Sequence, residues 1–318
     1  METKKKKKFK LFDMNRDGKG VDPNEDKTPT LLYFFKLLKR NFSKLLSLNL
    51  MMLVTYIPII VIVIMYLTAD RTPSQTDVMY APLLGLRTAA QSPISALSLA
   101  VKSIQLGLPV FNVPSLIIMA VLVVWFAVTL GWQSVGTTYS LRSIIRGEPA
   151  FLFSDYFYAI KKNMKQAFFV GLIDFVIIAV LAFDIYSFYA MSSGFMSDVV
   201  FCILCGIAII YLIMRFYIYL MLITFDLKIS KLFKNSLIFT ALGIKRNLMA
   251  LLGIVLVDII ALAMLFMITS VGIILPFVYY FALTTFMSAY AAYPVIKRYM
   301  IDPYYNEDGT EKSLVEEN

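Results

Sequence analysis

Residues Ile244–Met264 read IKRNLMALLGIVLVDIIALAM. Two cations and an asparagine open a run of apolar residues that a single carboxylate, Asp258, interrupts. A helix needs about 20 apolar residues to cross the hydrocarbon of a bilayer, and this run supplies them. The opening recurs twice upstream, as Leu38-Lys39-Arg40-Asn41-Phe42 and Ile160-Lys161-Lys162-Asn163-Met164. A long apolar stretch follows each copy. Asn163 is followed by Asp174 at the same spacing that separates Asn247 from Asp258. The pattern reads as an internal repeat in which each copy begins a membrane entry. The tendency of cations to stay on the cytosolic side accounts for the lysines and arginines. It accounts for neither the asparagines nor the matched aspartates.

The composition agrees with a bilayer as solvent. The 318 residues are 59% hydrophobic and 16% charged, with mean hydropathy +0.73. Soluble domains carry about 25% charged residues, and one aqueous core could not hide this much apolar surface. Histidine is absent, which removes a histidine general base and histidine metal ligands. Cys202 and Cys205 are the only cysteines, and they fall inside an apolar run. Hydrocarbon offers them neither a base nor further ligands, so they are expected to be buried helix residues rather than a redox or zinc pair. No cofactor or metal is expected. The net charge of +9 could suggest nucleic acid, but the cations stand at the ends of apolar stretches, which points to a membrane instead.

The expected fold is all-α and membrane-embedded, with six spans arranged as three hairpins. Residues 1–30 form a polar basic tail and residues 31–300 the membrane domain. The spans fall at about 45–67, 115–141, 166–189, 198–223, 248–268 and 272–293. A tight turn near Thr269–Gly272 separates the last two, because one unbroken helix would be too long for a bilayer. Pro58 is expected to kink the first span. An outer loop covers 68–114, with a surface helix at Ser95–Leu106. Residues 301–318 are an acidic tail, expected to be disordered. The lysine run Lys4–Lys8 precedes any apolar stretch by too far to belong to a signal peptide. It suits attraction to anionic lipid of the inner leaflet. The acidic segment Phe12–Asp22 superficially resembles a calcium loop but lacks the ligand register and closing glutamate.

Amphipathic helices are expected at the inner interface over Leu31–Leu45, Phe151–Lys165 and Ile229–Gly243. Ser154-Asp155 is the expected N-cap of the second. Of the 30 lysines and arginines, 26 fall in residues 1–44, in the segments after the second and fourth spans, and beyond the sixth span. Both termini are therefore expected in the cytosol.

Three charges lie deep within the apolar stretches, Asp174, Arg215 and Asp258, while Asp184 lies nearer the outer end of its span. Each of the three sits roughly 8–10 residues from the inner end of its span, a depth of roughly 12–15 Å. An unpaired charge there costs at least about 2.5–3.5 kcal/mol. Arg215 is therefore expected to pair with Asp174, Asp258 or both, as a polar layer. An ion-paired staple is favoured over a proton or solute path.

Several further stretches resemble a known family. They are Lys19-Gly20-Val21-Asp22-Pro23-Asn24-Glu25, Leu48-Asn49-Leu50 running to Ile57-Pro58-Ile59, and Ser154-Asp155-Tyr156-Phe157 through Asn163-Met164-Lys165-Gln166-Ala167. To these add Arg215-Phe216-Tyr217, Phe225-Asp226-Leu227 and Leu232-Phe233-Lys234-Asn235. Together they resemble the YesL-like family of bacterial integral membrane proteins, with a longer outer loop in this chain. The resemblance implies a bacterial plasma membrane protein that accompanies carbohydrate uptake, with ABC transporter permease and ATPase subunits as partners. It carries no catalytic residues. The chain has no phosphate-binding loop, so it is not the ATPase. Thr240-Ala241-Leu242-Gly243 is a poor match to a permease coupling loop. A non-enzymatic accessory or assembly subunit is the expected function. The alternative is a small-solute or ion transporter or channel using the Arg/Asp layer.

Overall fold

The computed structural model describes residues 27–71, 109–191, 194–267 and 269–305. Among the described residues eight helices follow one another: α1 (Leu31–Arg40), α2 (Phe42–Thr68), α3 (Val113–Arg146), α4 (Leu152–Met191), α5 (Phe195–Thr224), α6 (Ile229–Leu242), α7 (Ile244–Met267) and α8 (Thr269–Ile296). A wide helical turn, Lys297–Ile301, closes the described chain. Two short strands, β1 (Asp70–Arg71) and β2 (Pro109–Val110), pair antiparallel and bring the end of α2 beside the start of α3.

Five of these helices, α2, α3, α4, α5 and α7, are long and apolar enough to cross a membrane. Their most apolar windows are at most 28% buried within the protein. Leu252, Phe183 and Val121 are among many large apolar side chains that project outward. Soluble proteins do not display apolar surface on this scale, and a surrounding bilayer explains it. The chain is an all-α multi-pass membrane protein.

The helices run longer than the apolar runs suggest. α3 covers 113–146 and α5 covers 195–224; past Leu141, α3 adds the buried Ser143, Ile144 and Ile145, whereas the opening residues Val113 and Phe195 are exposed. α2 begins at Phe42, because α1 stops at Arg40 and not at Leu45. It continues helical through Pro58. α7 ends at Met267 and α8 begins at Thr269, so the last two long helices part beside the expected position near Thr269–Gly272. Ser154 is not an N-cap, since α4 starts at Leu152. Asp155 instead reaches back, and its Oδ2 accepts the Phe151 N–H at 2.8 Å. The lysine run, the Phe12–Asp22 segment, the Ser95–Leu106 helix and the tail beyond 305 lie outside the described residues.

Local chemistry sets the helix ends. Thr30 Oγ1 accepts the Tyr33 N–H at 3.3 Å to begin α1. Asn112 Oδ1 accepts from Ser115 N at 2.9 Å to begin α3. Gly147, at φ 72°, ends α3 in the left-handed conformation that glycine adopts without strain.

α8 is the central helix, packed against α2, α3, α5 and α7. Asn49 of α2 is fully buried, and its Oδ1 accepts the backbone N–H of Ala282 on α8 at 2.9 Å. α3 and α4 form the most extensive helix pair. Their backbones touch at Gly131 and Gly171, where a Cβ on Gly171 would stand 2.4 Å from the Gly131 Cα. Side chains of any size are excluded from that crossing, as in other closely packed membrane helices. Trp132 Nε1 donates to the Met164 carbonyl at 3.0 Å beside it.

The cation-bearing helix ends gather at one end of the bundle. Arg142, near the end of α3, donates through Nη1 to the Ile223 carbonyl at 3.2 Å and to Thr224 Oγ1 at 3.0 Å. It thereby caps the last carbonyls of α5. Arg246 donates to the Pro29 carbonyl at 2.7 Å, and Tyr290 Oη to the Thr30 carbonyl at 2.7 Å.

Candidate functional site

Asp174 is the most deeply committed charge in the molecule. It lies on the inward stripe of α4 with Ala159, Ala167 and Val170, all fully buried. It stands 11 residues beyond Asn163, about 16 Å along the helix and so near the bilayer middle. Three donors on one face of α5 converge on it. Tyr211 Oη donates to Oδ1 at 2.8 Å and Tyr219 Oη to Oδ2 at 2.7 Å. Between them Arg215 Nε bridges both oxygens, 2.9 Å from Oδ1 and 3.1 Å from Oδ2. Residues 211, 215 and 219 are spaced four apart, which stacks them on one side of a helix. A carboxylate in hydrocarbon is tolerable only with such a set of donors. The Asp174 side chain is 0% exposed, whereas that of Arg215 is 27% exposed. Tyr56 of α2 stacks on Phe281 with ring centroids 4.3 Å apart and lies within electrostatic range of the pair.

Asp258 does not join this layer. It sits on α7, which packs on α8 and barely on anything else, so α8 separates it from Arg215. Its Oδ1 accepts from Tyr280 Oη of α8 at 2.6 Å. The two matched aspartates therefore share a design, a membrane carboxylate held by tyrosine on the next long helix, but among the described residues only Asp174 is paired with a cation. Cys202 and Cys205 depart from expectation too. Both are free thiols on α5, but Cys202 is exposed and Cys205 half-buried, on the outward face of the helix.

The repeated signature has a structural counterpart at each copy. Asn41 separates α1 from α2 with φ −108° and ψ 18°. Asn163 breaks α4 with nearly the same angles, φ −111° and ψ 17°. In both, the side-chain Nδ2 donates to the carbonyl four residues back, Leu37 at 3.1 Å and Ala159 at 3.0 Å. The asparagine thus supplies a donor where the helix turns from one direction to another. In the third copy the break falls four residues earlier, at Gly243, with φ −91° and ψ 13°. Asn247 then reaches across it: Nδ2 donates to the Thr240 carbonyl at 3.0 Å, and Oδ1 accepts from Tyr217 Oη at 2.7 Å. Gly243 is required there, because a Cβ would stand 2.3 Å from that hydroxyl. Lys39, Arg40, Lys161, Lys162 and Lys245 are all exposed at these breaks, while Arg246 is half-buried. Each copy joins a short amphipathic helix to a long apolar one.

Several participants carried no sequence signal that stood out. Tyr211 and Tyr219 flank Arg215 at four-residue spacing, and that spacing could have marked them. Tyr280 and the Gly131–Gly171 crossing pair residues from different helices, which one sequence does not connect. Among the described residues, no group of three or more Asp, Glu or Cys side chains is placed to hold a metal.

Fold and site together define a multi-pass helical membrane protein with a buried intramembrane ion pair. No family model, curated protein or solved structure matches this chain.

Proposed function

We propose that this chain is a non-enzymatic, six-span protein of the bacterial plasma membrane that serves as an accessory or assembly subunit beside a carbohydrate ABC uptake system. The observation that carries the reading is the saturation of Asp174. A fully buried carboxylate that already accepts three donors is a fastening, not a relay, since a relay needs a group free to change partners. With the strongest intramembrane charge used for holding helices, the action of the protein lies in association. The resemblance to the YesL-like family supplies the class of partner.

α8, with 28 residues packed along α7, supports a sixth span. The gathering of cationic helix ends at one end of the bundle supports a cytosolic location for that end and for both termini.

A second reading, a solute or ion path, draws on the 27% exposure of the Arg215 side chain. Purification from native membranes in mild detergent tests the two against each other. Recovery of permease and ATPase subunits supports the accessory role. A solitary protein that moves solute in liposomes overturns it in favour of transport.

A further inference from the structure

Between α1, α7 and α8 the surface is cut by an apolar groove of about 570 Å³. Phe34, Phe35 and Leu38 of α1 form one wall. Met249 and Gly253 of α7 form the other, and Met287 of α8 lies in the floor. Gly253 gives the groove its depth, for a Cβ there would meet nothing nearer than the Met287 Sδ at 3.4 Å.

The mouth is different in character. Lys245 and Arg246 stand there, and among the described residues no aspartate or glutamate lines the groove. Arg246 is held in place by its bond to the Pro29 carbonyl at 2.7 Å. Lys245 is exposed. From Lys245 the groove runs along α7 to Val257, about 18 Å at helical rise. One leaflet of hydrocarbon is about 15 Å deep. The groove is therefore a leaflet long, mostly apolar, and cationic only where a headgroup would lie.

We propose that this groove is a binding site for a single anionic phospholipid, with one acyl chain between α1 and α7 and the phosphate against Lys245 and Arg246. The charge at the mouth selects an anionic headgroup over a zwitterionic one. The depth matches a chain that starts at the interface and ends at the bilayer middle. This sharpens a general attraction to anionic lipid into one defined site. It depends on membrane embedding alone, not on an accessory or transport role, so its failure leaves that role untouched.

The test uses the purified full-length chain, equilibrated in mixed micelles with phosphatidylglycerol or phosphatidylcholine of the same acyl chains. Retained lipid is counted by native mass spectrometry. One phosphatidylglycerol is expected to remain in preference to phosphatidylcholine. Lys245→Gln should weaken that preference about fivefold, the worth of one surface cation. Gly253→Leu, which fills the groove, should abolish retention while the protein stays monodisperse. Lys165→Gln, away from the groove, should retain lipid as the parent does. Equal retention of the two lipids, or undiminished retention by Gly253→Leu, overturns the proposal. So does a photo-crosslinker at Met249 that captures another protein and no lipid in native membranes.

Discussion

Arg215 meets Asp174 through its Nε, 2.9 Å from Oδ1 and 3.1 Å from Oδ2, and two tyrosine hydroxyls complete the carboxylate's shell. All three donors come from α5 and the acceptor from α4, so the cluster fastens the second hairpin at mid-membrane. Removing Arg215 leaves a buried carboxylate without its cation. Such losses cost about 3–5 kcal/mol. Arg215→Leu should therefore lower the yield of monodisperse protein and its thermal stability in detergent. Arg215→Lys should recover only part of the loss, because an ammonium does not reproduce the guanidinium's bonding geometry.

The Gly131–Gly171 contact leaves no room for a side chain, with a Cβ on Gly131 only 2.0 Å from the Ala167 carbonyl oxygen. Gly131→Leu and Gly171→Leu should each force α3 and α4 apart and reduce folded protein sharply. Gly206→Leu, where nothing lies within 4 Å, should be tolerated. Size-exclusion profiles of the three variants check this ranking.

The three signature asparagines should not be equal. Asn247 is fully buried and holds both the Thr240 carbonyl and the Tyr217 hydroxyl. Asn247→Ala leaves that hydroxyl without an acceptor and should cost about 1–3 kcal/mol. Asn163→Ala loses one bond at a half-buried position and should cost about 1 kcal/mol or less. Thermal midpoints of the two variants in one detergent provide the comparison.

The orientation has its own check in a Cys202→Ser, Cys205→Ser background. Lys161→Cys, at the cation-rich end, should react with an impermeant maleimide only after the cells are opened. Tyr189→Cys, 77% exposed at the far end of α4, should react in intact cells. The reverse labelling pattern would invert the assigned topology.

Much of the architecture was legible because a bilayer writes itself into sequence as long apolar runs with cations at one end. The signature also marked real breaks, since asparagine is a residue that helices use at their ends. What stayed hidden depends on rotation and neighbours. Asp258 has the same spacing as Asp174, yet α7 lies on the far side of α8 and turns its carboxylate to Tyr280. The third break falls at Gly243, where Tyr217 from another helix leaves no room for a side chain. Cys202 is exposed because it lies in the first half of α5, where no side chain before Tyr211 is fully buried by another helix. An apolar run says that a residue is in the membrane but not which way it points.

The claim on which the account turns is that the intramembrane pair holds the helices together. A double-mutant cycle tests it most directly, using Arg215→Leu and Asp174→Leu singly and together. The background is Tyr211→Phe, Tyr219→Phe, which removes the hydroxyls that Asp174 would otherwise leave unpaired. Thermal stability in detergent is the readout. The account predicts that each single variant is strongly destabilised and that the double variant recovers most of the loss, because a buried ion pair can be replaced by apolar residues once neither charge is left alone. Single variants as stable as their parent, or a double variant no better than the worse single, would contradict it.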